Sequence, residues 1–258
     1  MRVAIAGKGG VGKTTISATL SRLAARSGWS VLAVDGDSNP NLAAALGVEL
    51  ATASESFLPG SLVSYRPGGP ALSQPVDDVL DAHASVGGDG VRLVRMGAPQ
   101  HADEGCLCSA HATVSAVLAD LGGRDQFLTV IDMEASPEHL SRGTVRHADT
   151  LLLVTEPYYR SLETARRLAV LAKELGIPHI AVVANKVRSS VDEEGLREFC
   201  DRHSLECIAI IPWSDPVIDA DLRGSRVLDD APSDPAILAI GALTELLLRS
   251  NAVEEMPR

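Results

Sequence analysis

The run Gly7-Lys8-Gly9-Gly10-Val11-Gly12-Lys13-Thr14 constrains this chain more than any other feature. Apolar Val3 to Ala6 precedes it and reads as a short buried strand, and Thr14 to Arg26 follows with helical periodicity. The glycines let consecutive backbone N–H groups turn one way without side-chain interference, and the helix behind them presents the positive end of its dipole. G-x-x-x-x-G-K-[ST] between a strand and a helix therefore predicts a cradle for phosphate oxygens, beyond a mere tight turn.

In such a cradle Lys13 neutralises the terminal phosphates of ATP and Thr14 ligates Mg²⁺. Gly9, Gly10, Val11, Gly12, Lys13, Thr14 and Thr15 are the expected nucleotide contacts. Lys8 is not required for cradling and supplies an additional mobile cation.

Further β-branched runs at Val31 to Val34, Val91 to Val94, Phe127 to Ile131, Leu151 to Val154, Ile180 to Ala184 and Ile208 to Ile211 read as buried strands. Helical patterns at Ala110 to Leu121, Leu162 to Leu175 and Ala236 to Arg249 fall among and after them. The alternation predicts an α/β fold: one P-loop ATPase domain over 1–258, a mostly parallel twisted sheet with helices on both faces. Sites are expected at the strands' carboxyl ends. Between residues 51 and 90 Gly, Pro and Ser recur and only Val76 to Ala82 suits a short helix, so this stretch reads as a long variable loop insertion.

Two strand ends carry carboxylates. Leu128-Thr129-Val130-Ile131-Asp132 is an apolar strand ending in Asp, placed to reach the Mg²⁺ shell through water. Asp35 and Asp37 leave the tip of the second strand toward the phosphate loop.

Four cysteines are present, two of them in Cys106-Leu107-Cys108 just before a helix whose positive end favours thiolate. Soft thiolates select Zn²⁺, Ni²⁺ or Cu⁺ over Mg²⁺. Two are too few for a closed tetrahedral site, but a symmetric dimer supplies four, with His111 as a further ligand; a redox pair or two small buried hydrophobes are the alternatives. Cys200 and Cys207 read as packing residues of a helix and a strand.

Lys8-Gly9-Gly10-Val11-Gly12-Lys13-Thr14-Thr15 resembles the deviant Walker A loop of the ParA/MinD/nitrogenase iron protein class. The resemblance implies a nucleotide-sandwich homodimer in which Lys8 acts on the neighbouring subunit's phosphates, much as an arginine finger does in trans. It also implies that Asp37 orients the attacking water, that Asp35 holds a Mg²⁺-bound water, and that Asn185 and the backbone near Pro212 and Trp213 recognise adenine.

The Cys-x-Cys pair, Asp132-Met133-Glu134-Ala135 and the stretch Glu138 to Thr144 are similar to the CooC-type nickel-insertion ATPases that mature carbon monoxide dehydrogenase. That likeness implies Cys106 and Cys108 as Ni²⁺ or Zn²⁺ ligands at the dimer interface and a client metalloenzyme such as carbon monoxide dehydrogenase. A MinD/ParA-type dimerising switch without metal delivery shares the same loop. An iron–sulfur reductase of the class needs a second cysteine after Asp132, where His139 stands instead.

Charge narrows the partners. With 34 acidic against 23 basic residues the formal charge is −11, which repels polyanions and argues against nucleic acid. No run approaches the roughly 20 apolar residues of a membrane span, and the helical pattern near the end lacks a basic face, so no membrane role and a cytoplasmic location are expected.

Overall fold

The computed structural model describes residues 1–37, 39–49, 56–66, 69–96, 108–133 and 144–254. The chain begins β1 (Arg2–Gly7), α1 (Lys13–Arg26), β2 (Ser30–Gly36) and α2 (Leu42–Leu46). Next come β3 (Phe57–Leu58), the hairpin β4 (Val63–Arg66) and β5 (Gly69–Leu72), α3 (Val76–His83), β6 (Ser85–Val86) and β7 (Arg92–Met96). After them run α4 (Cys108–Asp120), β8 (Phe127–Met133), β9 (Thr150–Thr155), α5 (Tyr159–Glu174) and β10 (His179–Val187). The last elements are α6 (Ser190–Arg202), β11 (Glu206–Pro212), α7 (Asp215–Arg223), α8 (Val227–Asp230) and α9 (Pro235–Glu254).

Among the described residues the main sheet runs β11-β10-β9-β1-β8-β2-β7-β3, all parallel, with β6 antiparallel on β7. Parallel strands need cover on both faces, and alternate residues serve the two faces. Val3 and Ile5 of β1 pack with Ile16 and Leu20 of α1 and Ile240 of α9, while Ala4 and Ala6 belong to the core that holds Leu118 of α4 and Leu168 of α5. From β1 the chain moves toward β2 on one side and later returns to β9 on the other. The crevice at that reversal lies at the strands' carboxyl ends, where α/β sheets place ligands.

All seven strand segments read from the sequence overlap observed strands, and the four helical segments overlap α1, α4, α5 and α9. The long variable loop expected between residues 51 and 90 is corrected over its described part, which forms β3 to β6 with α3. Leu58, Leu62, Leu72, Val76, Val79 and Leu80 are buried there in the core shared with α4. The Gly and Pro residues mark turns between short elements and do not signal a lack of them. The helix expected at Cys200 is α6, and its cap is local: Ser189 Oγ accepts from the Asp192 N–H at 3.2 Å and Asp192 Oδ2 accepts from the Ser189 N–H at 3.2 Å.

Candidate nucleotide site

The phosphate loop joins β1 to α1 in a conformation that glycine makes accessible. Gly12 has φ 95°, and a Cβ there would lie 2.4 Å from Asn185 Nδ2; a Cβ on Gly7 would lie 2.2 Å from the Val154 carbonyl oxygen of β9. The loop is therefore pressed against the ends of two neighbouring strands. Lys13 is buried and its Nζ donates to the Lys8 carbonyl at 3.3 Å.

The first turn of α1 faces the end of β8. Ser17 Oγ donates to Asp132 Oδ1 at 3.2 Å, and the Thr14 hydroxyl also bonds this carboxyl. Ser17 was missed in the sequence reading, and its signal was helical spacing, three residues beyond Thr14 on one face. Asp132 pairs in register with Asp35 of β2. Burial pushes the Asp132 carboxyl up to about 7, with the neighbouring Asp35 adding to the rise and Thr14, Lys13 and Ser17 opposing it. Asp35 is pushed up to about 6, again by burial, against the N–H groups of Leu42 and Asp37 that it accepts at 2.9 and 3.3 Å. Thr14, Asp35 and Asp132 form an oxygen-only donor set, which is the chemistry a hard divalent cation such as Mg²⁺ requires.

Asp37 lies half-buried on the wall of a cavity of about 860 Å³ and accepts the Asn39 N–H at 2.8 Å. That cavity extends from Gly9, Gly10 and Lys13 to Asn185, Pro212 and Trp213, so the residues expected at the phosphate end and at the base end line one space. At the far end the Trp213 indole donates to Asp215 Oδ1 at 2.8 Å and the Arg188 guanidinium stacks 3.7 Å from its ring centroid. Asn185 Nδ2 donates to the Val11 carbonyl at 2.7 Å, and its Oδ1 accepts the Lys186 N–H at 2.9 Å. The structure thus gives Asn185 a loop-holding contact that the sequence did not suggest. Lys8 rests on Tyr158: its Nζ donates to Tyr158 Oη at 3.2 Å and lies 5.0 Å from that ring's centroid.

The proposed thiolate site is only partly visible. Cys106 lies outside the described residues, as do Glu134, Ala135 and His139; Cys108 is the first residue of α4, and His111 is buried one turn along. Among the described residues no group of three or more His, Cys, Asp or Glu side chains gathers to hold a metal. Cys200 is buried, and burial with the nearby Cys207 pushes its thiol up to about 11; burial also raises Cys207. Both favour the thiol form, as packing residues do.

With this geometry in hand, comparison with known proteins is specific. The family described as the CobQ/CobB/MinD/ParA nucleotide binding domain matches residues 3–227. The carbon monoxide dehydrogenase accessory protein CooC of Rhodospirillum rubrum is 37% identical over 95% of this chain and 97% of that protein. An ATP-binding protein of Methanocaldococcus jannaschii is 36% identical over 88% of this chain and 91% of its own length. The MinD cell division protein of Aquifex aeolicus superposes with a TM-score of 0.70 over 100% of this chain and 99% of that one; at 23% identity this is a likeness of fold. Among the described residues no helix is long and apolar enough to cross a membrane.

Proposed function

The chain belongs to the CobQ/CobB/MinD/ParA nucleotide-binding family and is an ATPase, and from that premise we propose that it is a CooC-type maturation factor, dimerising on ATP and delivering a metal, Ni²⁺ before Zn²⁺, to a client metalloenzyme such as carbon monoxide dehydrogenase. The observation that carries this reading is the 37% identity to CooC across nearly the whole chain, joined to the sequence Cys106-Leu107-Cys108, of which Cys108 begins α4.

In this reading Gly9 to Thr15 bind the phosphates, with Lys13 against their charge. Thr14, Asp35 and Asp132 would hold Mg²⁺, directly or through water, and the ion would neutralise charge on the terminal phosphates. Asp37, on the cavity wall, orients the water that attacks the γ-phosphorus; the bond to the bridging oxygen breaks, leaving ADP and phosphate. Lys8 leaves Tyr158 and stabilises the transferring group in the neighbouring subunit. Asn185, Pro212 and Trp213 face the base. Closing brings the Cys106 and Cys108 pairs of two subunits together on the cargo metal. For a nearly complete switch ATP must favour the closed state by roughly 5 kcal/mol.

Metal content per dimer, after Ni²⁺ or Zn²⁺ loading with and without ATP, tests this in the native chain and in Cys106→Ser/Cys108→Ser. About one metal per dimer, lost in the double variant, is the expected result. Equal binding by both would remove the cysteine pair from the mechanism and leave a dimerising ATPase switch that acts on another partner.

A further inference from the structure

We infer that Lys186 is a positioning residue for nucleotide binding, holding the phosphate loop from its carbonyl side. This rests on nucleotide binding alone and is independent of the cargo.

Lys186 has φ 58°, the left-handed region that a lysine enters only at a cost of about 1 kcal/mol or more. Such a conformation persists where surrounding contacts over-determine it. Here the Lys186 N–H donates to the side chain of the preceding Asn185 at 2.9 Å. The Lys186 Nζ donates to the Gly10 carbonyl at 2.6 Å and pairs with Glu156 Oε1 at 3.0 Å. Glu156 is itself fixed: its N–H donates to Ser161 Oγ at 3.0 Å, and Thr155 Oγ1 donates to the same Ser161 oxygen at 2.9 Å, with Thr155 and Ser161 both buried.

The consequence falls on two successive peptide groups. Lys186 holds the Gly10 carbonyl while Asn185 holds that of Val11. In a trans peptide the N–H points opposite to the C=O, so gripping these two oxygens fixes the directions of the Val11 and Gly12 N–H groups. A cation on the first carbonyl also polarises the peptide and makes its N–H the stronger donor. Consecutive residues at the end of β10 thus set the directions of two N–H groups of a loop whose glycines would otherwise let them wander, the Val11 N–H also meeting the Lys8 carbonyl at a long 3.5 Å. A surface ion pair without this role would leave nucleotide affinity alone.

The test uses the full chain with Lys186→Met, Lys186→Gly, Lys186→Arg and Glu156→Gln. Binding of ATP and ADP is followed with fluorescent analogues, alongside steady-state KM and kcat and melting without nucleotide. Loss of one charge-assisted bond should weaken ATP and ADP alike by about tenfold in Lys186→Met, with kcat within about twofold. Lys186→Gly should weaken binding equally although it relieves the backbone, Lys186→Arg should recover most of the affinity, and Glu156→Gln should lose about threefold, non-additively with Lys186→Met. Native affinity in both Lys186→Met and Lys186→Gly would overturn the inference, as would a fall in melting temperature with affinity unchanged. Neither result bears on metal content, so this inference and the maturation reading fail separately.

Discussion

Lys8 shows how one residue's meaning depends on a partner far away in the chain. Its ammonium rests on Tyr158, 150 positions on, through a 3.2 Å bond to the hydroxyl. A cation over an exposed aromatic ring is worth only about 0.5–1 kcal/mol, so this contact can be given up when a phosphate competes for the charge. If Lys8 acts across a dimer, Lys8→Ala should keep ATP affinity within about threefold in dilute protein, where single chains dominate. Turnover at high protein concentration should fall by about 10³, the lower end of what a cation supplied in trans provides. Equal loss of affinity and turnover would place Lys8 on its own subunit's nucleotide. The lysine doublet around the glycines was legible in the sequence because a phosphate loop is local. Tyr158, Glu156 and Lys186 were not, because nothing in their own neighbourhoods marks them.

At the scale of elements, α1 does more than carry the loop. Its Arg22 is 5% exposed and bonds Asp89 at 2.7 Å and Asp229 at 2.7 and 3.0 Å, tying the helix to the turn before β7 and to α8. At Asp89 burial pushes the carboxyl up, but the Arg26 and Arg22 guanidinium groups outweigh it and hold the group below its ordinary range; at Asp229 the Arg22 bonds dominate and do the same. Carboxyl groups lowered on folding contribute stability above the ordinary carboxylate range, and that contribution is lost as pH falls through their lowered values. Arg22→Ala should therefore destabilise the chain by about 1–3 kcal/mol near pH 7, discounted for the partial exposure of both carboxylates. The difference should shrink as pH is lowered through the acid range. Urea unfolding at pH 7 and at pH 3 checks this; a gap independent of pH would assign the loss to packing.

For the whole molecule, the charge of −11 makes a statement about partners that no single contact makes. Binding to duplex DNA is driven by phosphate neutralisation, and a net-acidic surface repels it. No retention on duplex DNA is expected at about 50 mM salt with or without ATP, checked by sedimentation with labelled DNA; ATP-dependent retention would favour a partitioning role. Sequence alone determined the seven longer parallel strands and the main helices between them, the phosphate loop and the carboxylates at the ends of β2 and β8, because each is written in neighbouring residues: period-2 or period-3.6 burial, glycines, a charge closing an apolar run. Within residues 56 to 90 it placed a helix at Val76 to Ala82, observed as α3, but missed the short strands, which take their stability from α4 and not from their own periodicity. Only the tertiary structure decided which side chains grip the loop. Asn185 and Lys186 meet Val11 and Gly10 across 174 and 176 positions because β10 lies one strand beyond β9, itself beside β1, and such adjacency follows from sheet order, which spacing along the chain does not encode.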